Sequence, residues 1–356
     1  MPATSDPFPA RPAPPLPPPL QLFLLSEGTV VATALSLAAE LGVADLLAGG
    51  PRHHEDLAQD TSTHAPSLYR TLRLLSSVGV FTETQPGWFG LTALGDCLRT
   101  AAPGSMRSWL RMVGLKVWLH TYADALHSLR TGQPALPRAM GAGLFDYLAA
   151  HPAESALFNE AMSDFGKSVA AAVTHAYDFS GLRKIMDVGG GNGSFAAAIL
   201  TANPHLTGVV FDQPHSAPDA QRLIADAGLS QRCEFVGGDF FQSVPGGCDA
   251  CVLRWVIHDW DDERARTILC NCRAVLPPAG RLLLVESVVP PGNEPHPSKL
   301  MDFVMLTALG GRERTADEYR ELLDESGFRL NRVIATDSPM SVIEALPNGP
   351  GVEEDK

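Results

Sequence analysis

The segment Lys184–Leu200, KIMDVGGGNGSFAAAIL, constrains the fold more than any other part of the 356-residue chain. A strand-like run ends at a turn with glycine at 189, 191 and 193, and a helical pattern follows at once. Alternate glycines let a backbone turn sharply and lie against a ligand where a Cβ would collide. The rhythm then repeats: Lys184–Val188, Gly208–Asp212, Glu234–Gly237, Asp249–Val256 and Gly280–Val289 read as strands, with helices after the first, second and fourth. Such alternation predicts an α/β domain, a parallel sheet with helices on both faces and ligands at the strand C-termini. The ending, FRLNRVIATDSPMSVIEAL, predicts two more strands joined at Asp337-Ser338-Pro339 as an antiparallel hairpin.

The first half of the chain has another character. Val30, Ala34, Leu37, Ala38 and Leu41 form one apolar stripe of a helix, and Leu68, Leu72 and Leu75 share a face of a second. Val80–Thr84 and Trp88–Thr92 flank the turn residues Pro86-Gly87 as a small hairpin. Helices followed by a hairpin suggest a winged helix-turn-helix. A DNA reader needs a basic face, and this helix offers only Arg70 and Arg73 in a chain of net charge −13, which disfavours nucleic acid. Packing of a dimer interface is the expected role. A small cationic cofactor meets no such electrostatic penalty.

No apolar run approaches the ~20 residues of a membrane span, and the stretch from Thr29 to Ala39 reads as a buried helix between Glu27 and Glu40. The proline-rich start carries no secretory pattern, so a cytoplasmic protein with an extended arm at 1–19 is expected. Of six cysteines, Cys248 and Cys251 fall in a strand-like run and Cys270 and Cys272 in a helical one, so no metal is expected. The expected division is a winged-helix-like domain at 20–105, a helical linker at 106–178 that contributes to an acceptor pocket, a sheet domain at 179–346 and a flexible tail at 347–356.

The glycine turn separates two cofactor classes. The nicotinamide-binding spacing G-x-G-x-x-G, begun at Gly189, would need glycine where Ser194 stands. The spacing present, D-x-G-x-G-x-G from Asp187, is that of a methyltransferase first motif. Asp212 ends the second strand, where a carboxylate can accept both hydroxyls of a ribose. Asp239 follows the third strand in Gly238-Asp239-Phe240-Phe241, placed to accept an adenine amino group with the Phe240 ring beside the base.

With DVGGGNG, VFDQP, GDFF, LRWVIHDWDDE, LLLVES and GGRERT in place, the chain from about Leu20 to Leu346 resembles the plant-type and bacterial small-molecule O-methyltransferases, the family of caffeate and hydroxyindole O-methyltransferases. The resemblance implies a Rossmann-like class I methyltransferase domain, S-adenosylmethionine as cofactor, and a homodimer formed by a helical winged-helix dimerisation domain at the N-terminus. It implies cofactor contacts from Asp187, Gly189, Gly191, Asp212, Asp239, Phe240 and Arg254, the last where plant members commonly have lysine. His258 matches the family's general base, held by glutamates that match Glu286 and Glu313. Phe158, Met162, Phe165, Asp259, Met301 and Met305 match acceptor-pocket positions. Ala308-Leu309 stand where plant members often carry an asparagine, so a less oxygenated acceptor is expected there. The implied reaction is methyl transfer to a hydroxyl of a small aromatic or polyketide-like molecule, in bacterial secondary metabolism. A phenol with pKa near ~10 is almost wholly protonated at pH 7, which is why a base helps.

Overall fold

The computed structural model describes residues 16–348; the rest of the proline-rich arm, 1–15, and most of the tail, 349–356, lie outside the described residues. The chain divides into two compact units, 1–102 and 103–356.

In the first unit, helices Pro18–Ser26, Gly28–Glu40, His54–Asp60 and Ala65–Ser77 precede a hairpin. Strands β1 (Arg52–His53), β2 (Phe81–Gln85) and β3 (Trp88–Leu91) form a sheet of order β1-β3-β2, with Gly87 at φ 81° in the tight turn. Leu68, Leu72 and Leu75 are buried as their spacing predicts, on a helix packed against Gly28–Glu40, His54–Asp60 and β2. The Gly28–Glu40 helix differs from expectation. It buries Ala34, Ala38 and Ala39, while Val30 and Leu37 remain 50% and 51% exposed. Small side chains allow close helix contact, so the larger members of the stripe are left facing outward. Leu22, Phe23 and Leu25 of the preceding helix are also exposed.

The second unit begins with short helices and the 25-residue helix Pro152–Ala176. Its sheet comprises β4 (Lys184–Val188), β5 (Thr207–Asp212), β6 (Cys233–Gly237), β7 (Ala250–Arg254), β8 (Arg281–Glu286), β9 (Phe328–Ala335) and β10 (Ser341–Pro347), in the order β6-β5-β4-β7-β8-β10-β9. The first five are parallel; β10 and β9 close the sheet antiparallel. Side chains alternate between two cores. Ile185, Val210, Val252 and Leu283 face one, and Met186, Val209, Cys251 and Leu284 the other. The order reverses at β4, so the crevice between the ends of β4 and β7 is the expected ligand position.

Two strands stop short of their sequence-based ends. β7 ends at Arg254, not Val256, because Trp255 adopts φ 55°, a left-handed conformation rare for a bulky side chain. β8 ends at Glu286, and beyond it Val288 keeps only a single bridge to Arg314. Cys248 and Cys251 are buried free thiols with sulfurs 3.8 Å apart. Among the described residues, no cluster of three or more His, Cys, Asp or Glu is placed to hold a metal ion. No single described helix is long and apolar enough to cross a membrane, although Pro18–Ser26 and Gly28–Glu40 reach that length and composition as a bent pair.

Candidate active site

The glycine turn is held from below. Asp187 is buried, and its carboxylate accepts the Ala196 amide of the following helix at 3.2 Å. Burial pushes its pKa up to about 6, against the pull of Arg254. Asp187 thus supports the turn from the side of the helix. Gly189 has φ 74°, and a Cβ there would lie 2.8 Å from Val256 Cγ2 and 3.5 Å from the Phe240 ring. Gly191 has φ 56°, but nothing lies within 4 Å of its Cβ position. One glycine is required by packing, and the other leaves open space.

Asp212 turns onto this loop. Its Oδ2 accepts the Gly191 amide at 2.7 Å, and Oδ1 accepts the Gln213 amide at 2.6 Å. Asp239 closes its own turn, accepting the Phe241 amide at 2.9 Å. The Phe240 ring meets Phe241 edge-on at 4.9 Å and Trp260 at 6.3 Å. Arg254 lies over the rings of Phe195 and Trp255, at 5.1 and 4.6 Å, and its Nη1 is buried without a hydrogen-bond partner. A buried guanidinium nitrogen left unpaired is costly, and an anionic or carbonyl oxygen of a bound ligand would satisfy it. A Cβ at Gly166 would strike this nitrogen, which explains the glycine in the middle of a long helix.

The second half of the site is the 3-10 turn Ile257–Asp259 after β7. His258 Nδ1 lies 2.8 Å from Glu313 Oε1 and 3.8 Å from Glu286 Oε2. Glu286 binds the backbone more closely than the ring: its Oε1 accepts the amides of Val256 and Ile257 at 3.0 and 2.9 Å. The two glutamates therefore do different work, one fixing the turn and the other the imidazole. Asp259 Oδ1 lies 3.4 Å from Nε2, on the other edge of the ring. Burial by itself would lower the His258 pKa, but the Glu286 charge, the Glu313 bond and Asp259 together push it up to about 10. Burial raises Asp259 to about 6 and Glu286 to about 7, each opposed by His258. Next along the chain, Asp261 caps the helix Asp262–Val275 by accepting the Arg264 amide.

The pocket positions fall into separate surroundings. Phe158, Met162 and Phe165 lie at helical spacing on Pro152–Ala176, and Met301 and Met305 on Pro297–Ala308. Phe165 sits between Trp109 at 5.3 Å and Trp255 at 5.4 Å, the latter nearly parallel to it. Phe158 packs on the cluster containing Trp118, Leu144 and Ala308. Met305 is buried, while Met162 and Met301 are half-buried. Three participants were given no role from the sequence, although Gly311 and Arg314 lie within GGRERT. Asp302 accepts the Glu313 amide at 2.9 Å. Gly311 lies where a Cβ would collide with the His258 carbonyl. Arg314 is fully buried against the His258 turn.

A parallel sheet that reverses beside a glycine turn, with acids at three adjacent strand ends, is the frame of a class I methyltransferase. Comparison with known proteins narrows this. Residues 118–329 match the O-methyltransferase domain family, and residues 23–101 match the O-methyltransferase dimerisation domain. The phenazine O-methyltransferase PhzM of Lysobacter antibioticus is 46% identical over 331 residues, spanning 92% of this chain and 97% of that protein. The crystal structure of LaPhzM aligns with a TM-score of 0.86 at 45% identity, covering 93% of this chain and 100% of that one. An O-methyltransferase from neocarzinostatin biosynthesis, solved with S-adenosyl-L-homocysteine and 1,4-dihydroxy-2-naphthoic acid, aligns at 0.75 and 36% identity, covering 89% and 95%. The chain belongs to the O-methyltransferase family, and its cofactor is S-adenosylmethionine.

Proposed function

We propose that the enzyme methylates a hydroxyl group of a small aromatic or polyketide-like molecule in bacterial secondary metabolism, with His258 as general base. The observation that carries this reading is the two-sided environment of the His258 ring. Nδ1 faces Glu313 at 2.8 Å, so an Nδ1 proton donated to that carboxylate leaves the Nε2 lone pair for the acceptor hydroxyl. The His258 pKa of about 10 keeps the ring protonated in the ligand-free site. Positive charge brought in with the cofactor disfavours the imidazolium, because like charges repel. The cofactor supplies an electrophilic methyl on a sulfonium. As the hydroxyl oxygen bonded to that methyl carbon and the carbon–sulfur bond broke to leave a neutral thioether, His258 would take the hydroxyl proton and Glu313 would stabilise the imidazolium that results.

Asp212 is assigned to the ribose hydroxyls and Asp239 to the adenine amino group, with Phe240 beside the base. The open space above Gly191 and the unpaired Arg254 Nη1 fit a cofactor laid along the turn. Phe158, Met162, Phe165, Asp259, Met301 and Met305 are assigned to the acceptor. The naphthoic acid held by the neocarzinostatin-pathway enzyme has the planar hydroxylated chemistry this reading calls for. The first unit is assigned to a homodimer, because Leu22, Phe23, Leu25, Val30 and Leu37 leave apolar helix faces uncovered in one chain.

The test is methyl transfer from labelled S-adenosylmethionine to a panel of hydroxylated aromatics that includes 1,4-dihydroxy-2-naphthoic acid, read by mass, with wild type beside His258→Gln. Methylated product from wild type and a strongly reduced kcat in the variant are expected. Equal rates would remove the base assignment, and no product with any hydroxylated aromatic would remove the acceptor class.

A further inference from the structure

Arg314 is fully buried, an expensive place for a guanidinium. Its hydrogen bonds show what the burial secures. Nη1 donates to the Ile257 carbonyl at 3.2 Å and the Arg312 carbonyl at 3.4 Å, and Nη2 to the Trp260 carbonyl at 3.0 Å. Nε and Nη2 both donate to Asp262 Oδ1, at 3.0 and 2.7 Å. Four of these five bonds end on residues 257–262, and the two carbonyls at 257 and 260 bracket His258 and Asp259. Between them, the His258 carbonyl accepts the Arg312 amide at 2.9 Å. The segment that fixes the imidazole through Glu313 therefore fixes its backbone through the next residue. From the opposite side, Glu286 takes the amides at 256 and 257.

We infer that Arg314 is a positioning residue for methyl transfer, its planar fork holding the turn that aims His258 at the acceptor. The inference rests on His258 being the base. A rigid fork with five N–H donors suits this task, and lysine does not, having three donors on a flexible stem. Catalytic geometry is sensitive to small displacements, and about 1 Å of misplacement can cost roughly a hundredfold in rate. No residue of the glycine turn, nor Asp212 or Asp239, shares a hydrogen bond with Arg314. The effect should thus be confined to the chemical step.

The experiment is a double-mutant cycle in the full chain, with Arg314→Lys and His258→Gln alone and together. It uses 1,4-dihydroxy-2-naphthoic acid, or the panel acceptor turned over fastest. Arg314→Lys should lower kcat by roughly 10- to 100-fold, while calorimetric affinity for S-adenosylmethionine stays within about threefold. In the His258→Gln background the same change should cost less than about twofold, because the group it positions is gone. A loss that persists in full in that background would overturn the inference and leave the base assignment standing. A His258→Gln enzyme as fast as wild type would overturn both. Should Arg314→Lys fail to fold, Asp262→Asn weakens the same clamp from a half-exposed side chain. It should lower kcat severalfold in wild type and not in His258→Gln, and an unchanged kcat would overturn the inference.

Discussion

The glycine turn and the His258 turn stand at the ends of neighbouring strands β4 and β7, yet they are built by opposite means. The first is held mostly by nearby backbone: φ values of 74°, 56° and 76° at Gly189, Gly191 and Gly193, two amides donated to the Phe211 carbonyl, and two carboxylates, Asp187 and Asp212, no more than 21 positions from the amides they accept. The second is held by side chains from far along the sequence, with Glu313 reaching His258 across 55 positions. Even its left-handed residue is a tryptophan, Trp255, kept in place by Phe165 and by an Nε1–H donated to Met340. Backbone devices tolerate little change within the segment, whereas side-chain devices can be dismantled one contact at a time. Substitutions in the two turns should therefore fail differently, the first in cofactor affinity and the second in rate.

The largest expected effect is at His258. His258→Ala should lower kcat by about 10²- to 10⁴-fold with little change in cofactor affinity. High pH should recover part of the loss, since a phenolic acceptor then ionises unaided. A rate profile with no alkaline recovery would break the separation between the two turns. At the other turn, Asp212→Ala should weaken S-adenosylmethionine binding by roughly 1.5–3 kcal/mol, or about 10- to 150-fold, the range for hydrogen bonds to a charged group. Calorimetry showing unchanged binding would remove the ribose assignment. Gly191→Ala sharpens the same point. The left-handed conformation costs a non-glycine residue about 1–2 kcal/mol, but among the described residues nothing beyond its chain neighbours lies within 4 Å of the new methyl group. Cofactor affinity should drop more than thermal stability does. Gly189→Ala should reverse the order, because its methyl group would press on Val256. Melting curves with and without cofactor separate the two outcomes.

The contrast also explains what could be read in advance. The sheet, the glycine turn and the acids at 187, 212 and 239 were legible because each is local: a period, a turn chemistry, a residue at a strand end. His258 and its two glutamates were legible only through family resemblance, and their division of labour was not. Nothing in LLLVES says that Glu286 spends one oxygen on two backbone amides. Arg314 stands within GGRERT with no role legible from the sequence, yet the structure buries it, and Asp302, which no motif marks, accepts the Glu313 amide. The Val30 and Leu37 stripe was legible as apolar but not as outward-facing. Periodicity finds a face without saying whether the covering surface belongs to the same chain.

The finest comparison is between the two glutamates, and it turns on pH. In Glu313→Gln the amide oxygen can still accept the Nδ1 proton, so the tautomer survives, but a negative charge beside the ring is lost. With less charge to stabilise the imidazolium, the His258 pKa falls from about 10. The neutral, base-competent form then appears at lower pH, and the rising limb of kcat should move toward acid. The plateau rate should fall by no more than about tenfold, since the imidazolium formed during transfer is less well stabilised. Glu286→Gln also removes a charge, and Glu286 is the charge that does most to raise the His258 pKa. Its limb should move in the same direction, while its plateau changes less, because the side-chain carbonyl can go on accepting the amides of residues 256 and 257. The comparison is read from kcat against pH for wild type and both variants with one acceptor, so that ionisation of the acceptor is common to all three. Limbs that do not move, or that move toward alkali, would mean that the titration governing the rate is not that of His258.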